Sequence, residues 1–76
     1  MPIVIDGRGL LPPEPLERTL QALETLPAGE ELTLLVNCHP EPLLFLLQDL
    51  DCSWEEVTRP DGTHQLTIRR RSQEPA

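Results

Sequence analysis

The sequence predicts a small α/β domain, a two-layer sandwich of order βαβαββ. In it a four-stranded mixed sheet carries two helices on one face. Three observations predict this. Short apolar runs such as "PIVID" and "EELTLLVN" have the composition of strands and end in turn residues. Two segments with leucines at helical spacing separate these runs, so crossovers can join parallel strands. "PDGT" then supplies turn chemistry between the last two runs and closes a hairpin. A chain of 76 residues is one small domain with a marginal core, which favours a simple, well-patterned fold.

The elements follow in order. The first strand is Pro2–Asp6. "GRGLLPPEP" is a loop in which Gly7 and Gly9 allow backbone angles that other residues avoid. The first helix is expected from Glu14 to Leu26, because Leu16, Leu20, Leu23 and Leu26 fall on one face and Glu17, Arg18, Gln21 and Glu24 on the other. Pro13 and Pro15 suit a first turn, where a missing N–H costs no helical hydrogen bond. Glu14 and Glu17 suit the positive end of the helix dipole. "PAG" stops the helix.

Glu30–Asn37 is almost continuously apolar, as expected of a strand with neighbours on both edges. After "CHPEP" a second helix is expected from Pro42 to about Leu50, with Leu43, Leu46, Leu47 and Leu50 on one face. Leu44 and Phe45 fall partly off that face. They are expected to be buried at the helix flank; the alternative is a contact patch for a partner or a second copy. Cys52–Arg59 and His64–Arg70 form the hairpin, with Trp54 packed on the sheet. Arg69–Arg71 read as local charge balance at a strand end, and residues 72–76 as a disordered tail. No internal repeat is evident. The second face of the sheet is left with little to cover it.

The net charge is −7, from 6 basic and 13 acidic residues. Such a surface opposes phosphate binding, so nucleic acid is not expected as a partner and a protein partner is. No apolar run approaches the roughly 20 residues of a membrane span. The start carries no basic segment and places Asp6 early, so no secretion signal is expected and the cytoplasm is the expected location. Cys38 and Cys52 are then reduced thiols, and neither lies in a Cys-x-x-Cys pair. The sequence contains no phosphate-binding glycine loop and no Ser–His–Asp pattern. These absences argue against an enzyme, and no cofactor is expected. A monomer or a weak homodimer is anticipated.

The stretch "IDGRGLLPPEPLERTLQALETLPAGEELTLLVN" resembles the TusA or SirA-like family of small sulfur-carrier domains. That family carries an Asp-x-Arg-Gly-Leu-x-Cys-Pro-x-Pro run at its first helix. Asp6, Arg8, Gly9, Leu10, Pro13 and Pro15 stand on the matching positions, and Gly29 and Glu30 fit the later Gly-Glu pair. The likeness covers nearly the whole chain and is closer before Asn37 than after it. The family's sulfur-accepting cysteine is replaced by Pro12, which has neither sulfur nor an acid–base group, so relay at that position is excluded. This resembles an uncharacterised bacterial branch with Pro-Pro-x-Pro in place of Cys-Pro-x-Pro. The resemblance implies a carrier shape without its nucleophile: a non-catalytic interaction or regulatory domain.

The family's sheet order, with the fourth strand antiparallel to the second, would gather Asp6, Arg8, Asn37, Cys38, His39 and His64 on one edge with Pro12 and Pro13. That edge is the candidate binding surface. Cys38 is read as a semi-buried structural thiol. The alternatives are a substitute sulfur carrier at Cys38, or a weak metal site from Cys38, His39 and His64. His64 itself reads as a solvated turn residue. Cys52 is expected in or near the core, on the opposite edge from Cys38 and too far for a disulfide.

Overall fold

The computed structural model of the chain describes residues 3–11 and 13–71. Pro2, Pro12 and the expected tail at 72–76 lie outside the described residues. The order is β1 (Ile3–Asp6), α1 (Glu14–Thr25), β2 (Glu31–Val36), α2 (Glu41–Asp49), β3 (Cys52–Thr58) and β4 (His64–Arg70). The strands form one sheet in the order β1-β2-β4-β3, with β1 parallel to β2 and the other pairs antiparallel. The expected architecture is therefore present, with β2 and β4 as the central strands.

Strand alternation sorts the side chains into two layers. The register aligns Ile5 with Leu34, Leu34 with Leu66, and Leu32 with both Ile3 and Ile68. Leu32, Leu34, Leu66 and Ile68 are fully buried beneath the helices. α1 adds Leu23 and its C-cap Leu26, with Leu16 and Leu20 packed at the margin; α2 adds Leu43 and Leu47. Cys52 and Trp54 complete this layer from β3, as the sequence suggested. Thr19 is also fully buried on α1, where its hydroxyl donates to the Pro15 carbonyl at 2.8 Å.

The opposite sheet face is largely polar. Thr33 lies opposite Thr67, and Glu31 pairs with Arg69 at 3.1 Å. Arg59 reaches Gln65 at 2.9 Å. A polar face of an antiparallel pairing can stand in water without a second layer.

Two expectations for the second helix are corrected. Phe45 is not buried at the flank: it is 62% exposed, while Leu44 is half-buried. Leu46 and Leu50 do not share the buried face of Leu43 and Leu47, being 36% and 45% exposed. A helix of 9 residues on a sheet buries one narrow stripe, and here positions 43 and 47 occupy it.

An internal repetition also emerges. Both helices start with Pro-Glu-Pro-Leu, at Pro13–Leu16 and Pro40–Leu43. Pro13 and Pro40 are the N-cap residues, and each helix carries a second proline in its first turn. Because β1 and β2 are parallel, both starts lie at the same end of the sheet.

Candidate functional site

The two Pro-Glu-Pro-Leu starts enclose a cleft of about 400 Å³ beyond the C-terminal ends of β1 and β2. Its lining includes Gly7, Leu10, Pro13, Pro15 and Leu16 on one side, and Val36, Asn37, Cys38, His39, Pro40, Pro42 and Leu43 on the other. In parallel α/β sheets this end is the usual place for a ligand, because the crossovers diverge there. The walls are mostly proline rings and leucine side chains. They are stiff as well as apolar, so the cleft is preformed rather than assembled on binding.

Gly7 forms part of the cleft where the chain leaves β1. Its N–H donates to the Leu35 carbonyl at 2.7 Å. A Cβ at this position would meet that carbonyl oxygen at 3.0 Å and Pro15 Cβ at 3.2 Å. A side chain here would force its neighbours back by a few tenths of an ångström, so glycine suits the close passage of the loop. Two residues later Gly9 takes φ +83°, and its N–H donates to Asn37 Oδ1 at 2.9 Å. Asn37 thus ties the loop after β1 to the end of β2 and holds the two sides of the cleft together.

Asp6 and Arg8 lie on this loop and pair with each other. Arg8 Nε donates to Asp6 Oδ1 at 2.9 Å and Nη2 donates to Oδ2 at 3.0 Å. This two-pronged bond holds the Asp6 carboxyl down at about 2. Both side chains are well exposed.

The edge gathers the histidines through Glu56, a residue outside any motif of the sequence. His39 Nδ1 lies 2.9 Å from the Glu56 carboxylate and His64 Nδ1 lies 2.8 Å from it. The ring centroids are 6.5 Å apart. An ionised carboxylate only accepts hydrogen bonds, so each ring carries its proton on Nδ1. The His39 bond is the larger cause of a Glu56 carboxyl held below the ordinary glutamate range, with His64 adding to it. His64 is thus not a solvated turn residue but half-buried and engaged. The alternation Trp54, Glu56 on the helix-side face of β3 was the available signal, since a carboxylate there needs a partner.

The cysteines separate sharply. Cys38 is exposed and lines the cleft, which corrects the reading of a semi-buried thiol. Cys52 is buried as expected, and burial pushes its thiol up. In the register Cys52 lies opposite Arg70, at the other end of β4 from His64. Among the described residues no group of three His, Cys, Asp or Glu side chains, Cys38, His39 and His64 included, is placed to hold an ion. Both imidazoles instead turn Nδ1 to Glu56. Among the described residues no helix is long and apolar enough to cross a membrane.

Residues 4–70 match the family described as an uncharacterized conserved protein, DUF2249. The fold is similar to the crystal structure of a SirA-like protein from Desulfitobacterium hafniense, with a TM-score of 0.80 and 26% sequence identity. That likeness covers 92% of this chain and 99% of the other. No curated protein matches the chain.

Proposed function

The chain belongs to the DUF2249 family and has a SirA-like fold, and on that premise we propose that it is a non-catalytic protein-interaction or regulatory domain. On this reading its Pro-Pro-x-Pro run, standing where carriers have Cys-Pro-x-Pro, marks a branch that keeps the carrier shape without the nucleophile. The observation that carries the reading is the preformed apolar cleft between the two Pro-Glu-Pro-Leu starts. A cleft with stiff walls suits an apolar segment of another protein, since little order remains to be lost when the segment binds. The nucleophile position of the carriers is Pro12, which offers no group for relay.

The test places a photo-crosslinking residue at Leu10 in the cleft and, as control, at Glu24 on α1. Crosslinking to a defined partner from Leu10 and not from Glu24 is expected. Arg8→Glu should reduce that crosslinking severalfold while the circular dichroism spectrum stays unchanged. Equal crosslinking from both positions would sink the assignment.

A second reading is favoured by one observation, the exposure of Cys38 in the cleft. In it the Cys38 thiolate attacks the outer sulfur of a donor protein's persulfide, the donor thiolate leaves, and Cys38 carries the persulfide in place of the absent cysteine. It predicts a reductant-removable added sulfur on Cys38 in mass spectra of untagged protein from its own host. An unmodified chain in those spectra removes this reading.

A further inference from the structure

We propose that the outer face of α2 is a docking surface for a basic amphipathic helix of a partner protein. This inference goes beyond the cleft reading and does not depend on it. Two adjacent columns on the helix carry it, because residues four apart stack along a helical surface. One column is Glu41, Phe45 and Asp49; the other is Pro42, Leu46 and Leu50. All six side chains are exposed. Phe45 stands at 62%, between two carboxylates. The result is an apolar stripe with an acidic rim, running away from the cleft, where Pro42 forms part of the wall.

Charge complementarity selects the occupant. The chain contains no lysine, and its 6 basic residues are all arginine. Each arginine is already engaged within the chain. Arg8 pairs with Asp6, Arg18 with Glu14, Arg69 with Glu31 and Arg71 with Asp51. Arg59 bonds Gln65, and Arg70 bonds the carbonyls of Leu23 and Leu26. None of the arginines pairs with Glu41 or Asp49, so a basic side chain facing them would come from another molecule.

A second copy does not fit. Packing α2 on itself about Phe45 brings Glu41 of one copy against Asp49 of the other, with no arginine at hand to relieve them. Nucleic acid and anionic lipid are repelled for the same reason. A helix with leucines on one stripe and lysines or arginines beside it satisfies both columns.

The probe is a synthetic helical peptide with leucine at i, i+3, i+4 and i+7 and lysine elsewhere. It is titrated into isotope-labelled full-length protein and followed by amide chemical shifts. Shifts centred on Glu41, Phe45, Leu46 and Asp49 are expected. Phe45→Ser should weaken binding about tenfold, a normal loss for an aromatic anchor. Glu41→Lys with Asp49→Lys should weaken it similarly without touching the apolar stripe. A lysine–serine peptide should bind far more weakly than the leucine-bearing one.

Equal binding of the two peptides would overturn the proposal, because charge alone would then suffice. Shifts confined to Gly7, Leu10 and Cys38 would overturn it and leave the cleft reading standing. Shifts on α2 without the cleft would support this surface independently of the cleft. Concentration-dependent shifts on α2 in the absence of peptide would assign the face to a second copy and overturn the proposal.

Discussion

α1 and α2 begin with the same four residues, but the sheet secures them at opposite ends and their outer faces differ. α1 is held where it finishes. Arg70 of β4 donates from Nη1 to the Leu23 carbonyl at 2.8 Å and the Leu26 carbonyl at 3.2 Å, two of the acceptors that a helix end leaves free. α2 is held near where it starts. Glu56 of β3 grips His39, directly before the N-cap Pro40. α1 shields its outer face with an internal ion pair, Glu14 to Arg18 at 2.8 Å. α2, unlike α1, contains no basic residue and leaves Phe45 in water. The comparison teaches that one helix is finished as a structural element while the other keeps an unsatisfied face beside the cleft.

Breaking the hold on α1 has the largest expected effect. Arg70→Met keeps the apolar stem but takes the guanidinium donor from the Leu26 carbonyl and leaves the Leu23 carbonyl with only the Leu26 N–H at 3.3 Å. A loss of about 1–2 kcal/mol is expected in urea unfolding, in line with charged hydrogen bonds to backbone. Hydrogen exchange should quicken in the last turn of α1 and stay unchanged in α2. Equal quickening in both helices would show that Arg70 supports the whole sheet rather than one helix end.

The hold on α2 is smaller and depends on pH. Glu56→Gln should cost about 1 kcal/mol at neutral pH, the worth of ordinary hydrogen bonds at a partly exposed site. The carboxyl is held below its unfolded value, so its contribution is fully present above the ordinary glutamate range. It is lost as pH falls through the lowered folded value. The stability gap between wild type and Glu56→Gln should therefore close in acid, on the low side of 4.5. Asp6 changes in the same direction, between 3.8 and about 2, but is shared by both proteins and drops out of the difference. A gap that stayed constant from neutral to acid pH would show that the Glu56 charge plays no part in gripping the histidines.

The sequence made the strands and helices legible because local patterning and tertiary packing agree there. Leucine spacing in α1, the apolar run of β2 and the Pro-Asp-Gly turn each point to one outcome. The sheet order was legible only through family resemblance, since pairing is a long-range property. At the site, the edge location of Asn37, Cys38, His39 and His64 was readable in that way. Their bonding was not. Glu56 lies 17 residues from His39 and 8 from His64; the β3–β4 register sets Glu56 near His64, and the β2–β4 register, with Val36 opposite His64, brings in the loop that carries His39. The exposure of Phe45 is illegible in the sequence for a related reason. In "LLFLL" every residue is apolar, so composition cannot say which two positions the sheet will cover. The matching helix starts were in plain view, but they gain meaning only when parallel strands bring them to one end.

The smallest effect is the most informative about that outer face. Phe45→Ser removes a large apolar side chain from α2, and in a helix core such a change would cost several kcal/mol. Here the residue is already 62% exposed, so little burial is lost. Serine and phenylalanine have nearly equal helix propensity, so the backbone is unaffected. The change in urea unfolding should therefore stay within about 0.5 kcal/mol, the range of surface substitutions. Solubility should rise, because an exposed aromatic favours association. A cost above 2 kcal/mol would mean that Phe45 packs within the chain, and α2 would then be as finished an element as α1. A near-zero cost leaves an apolar residue that the fold does not use, between two carboxylates that none of the chain's arginines engages.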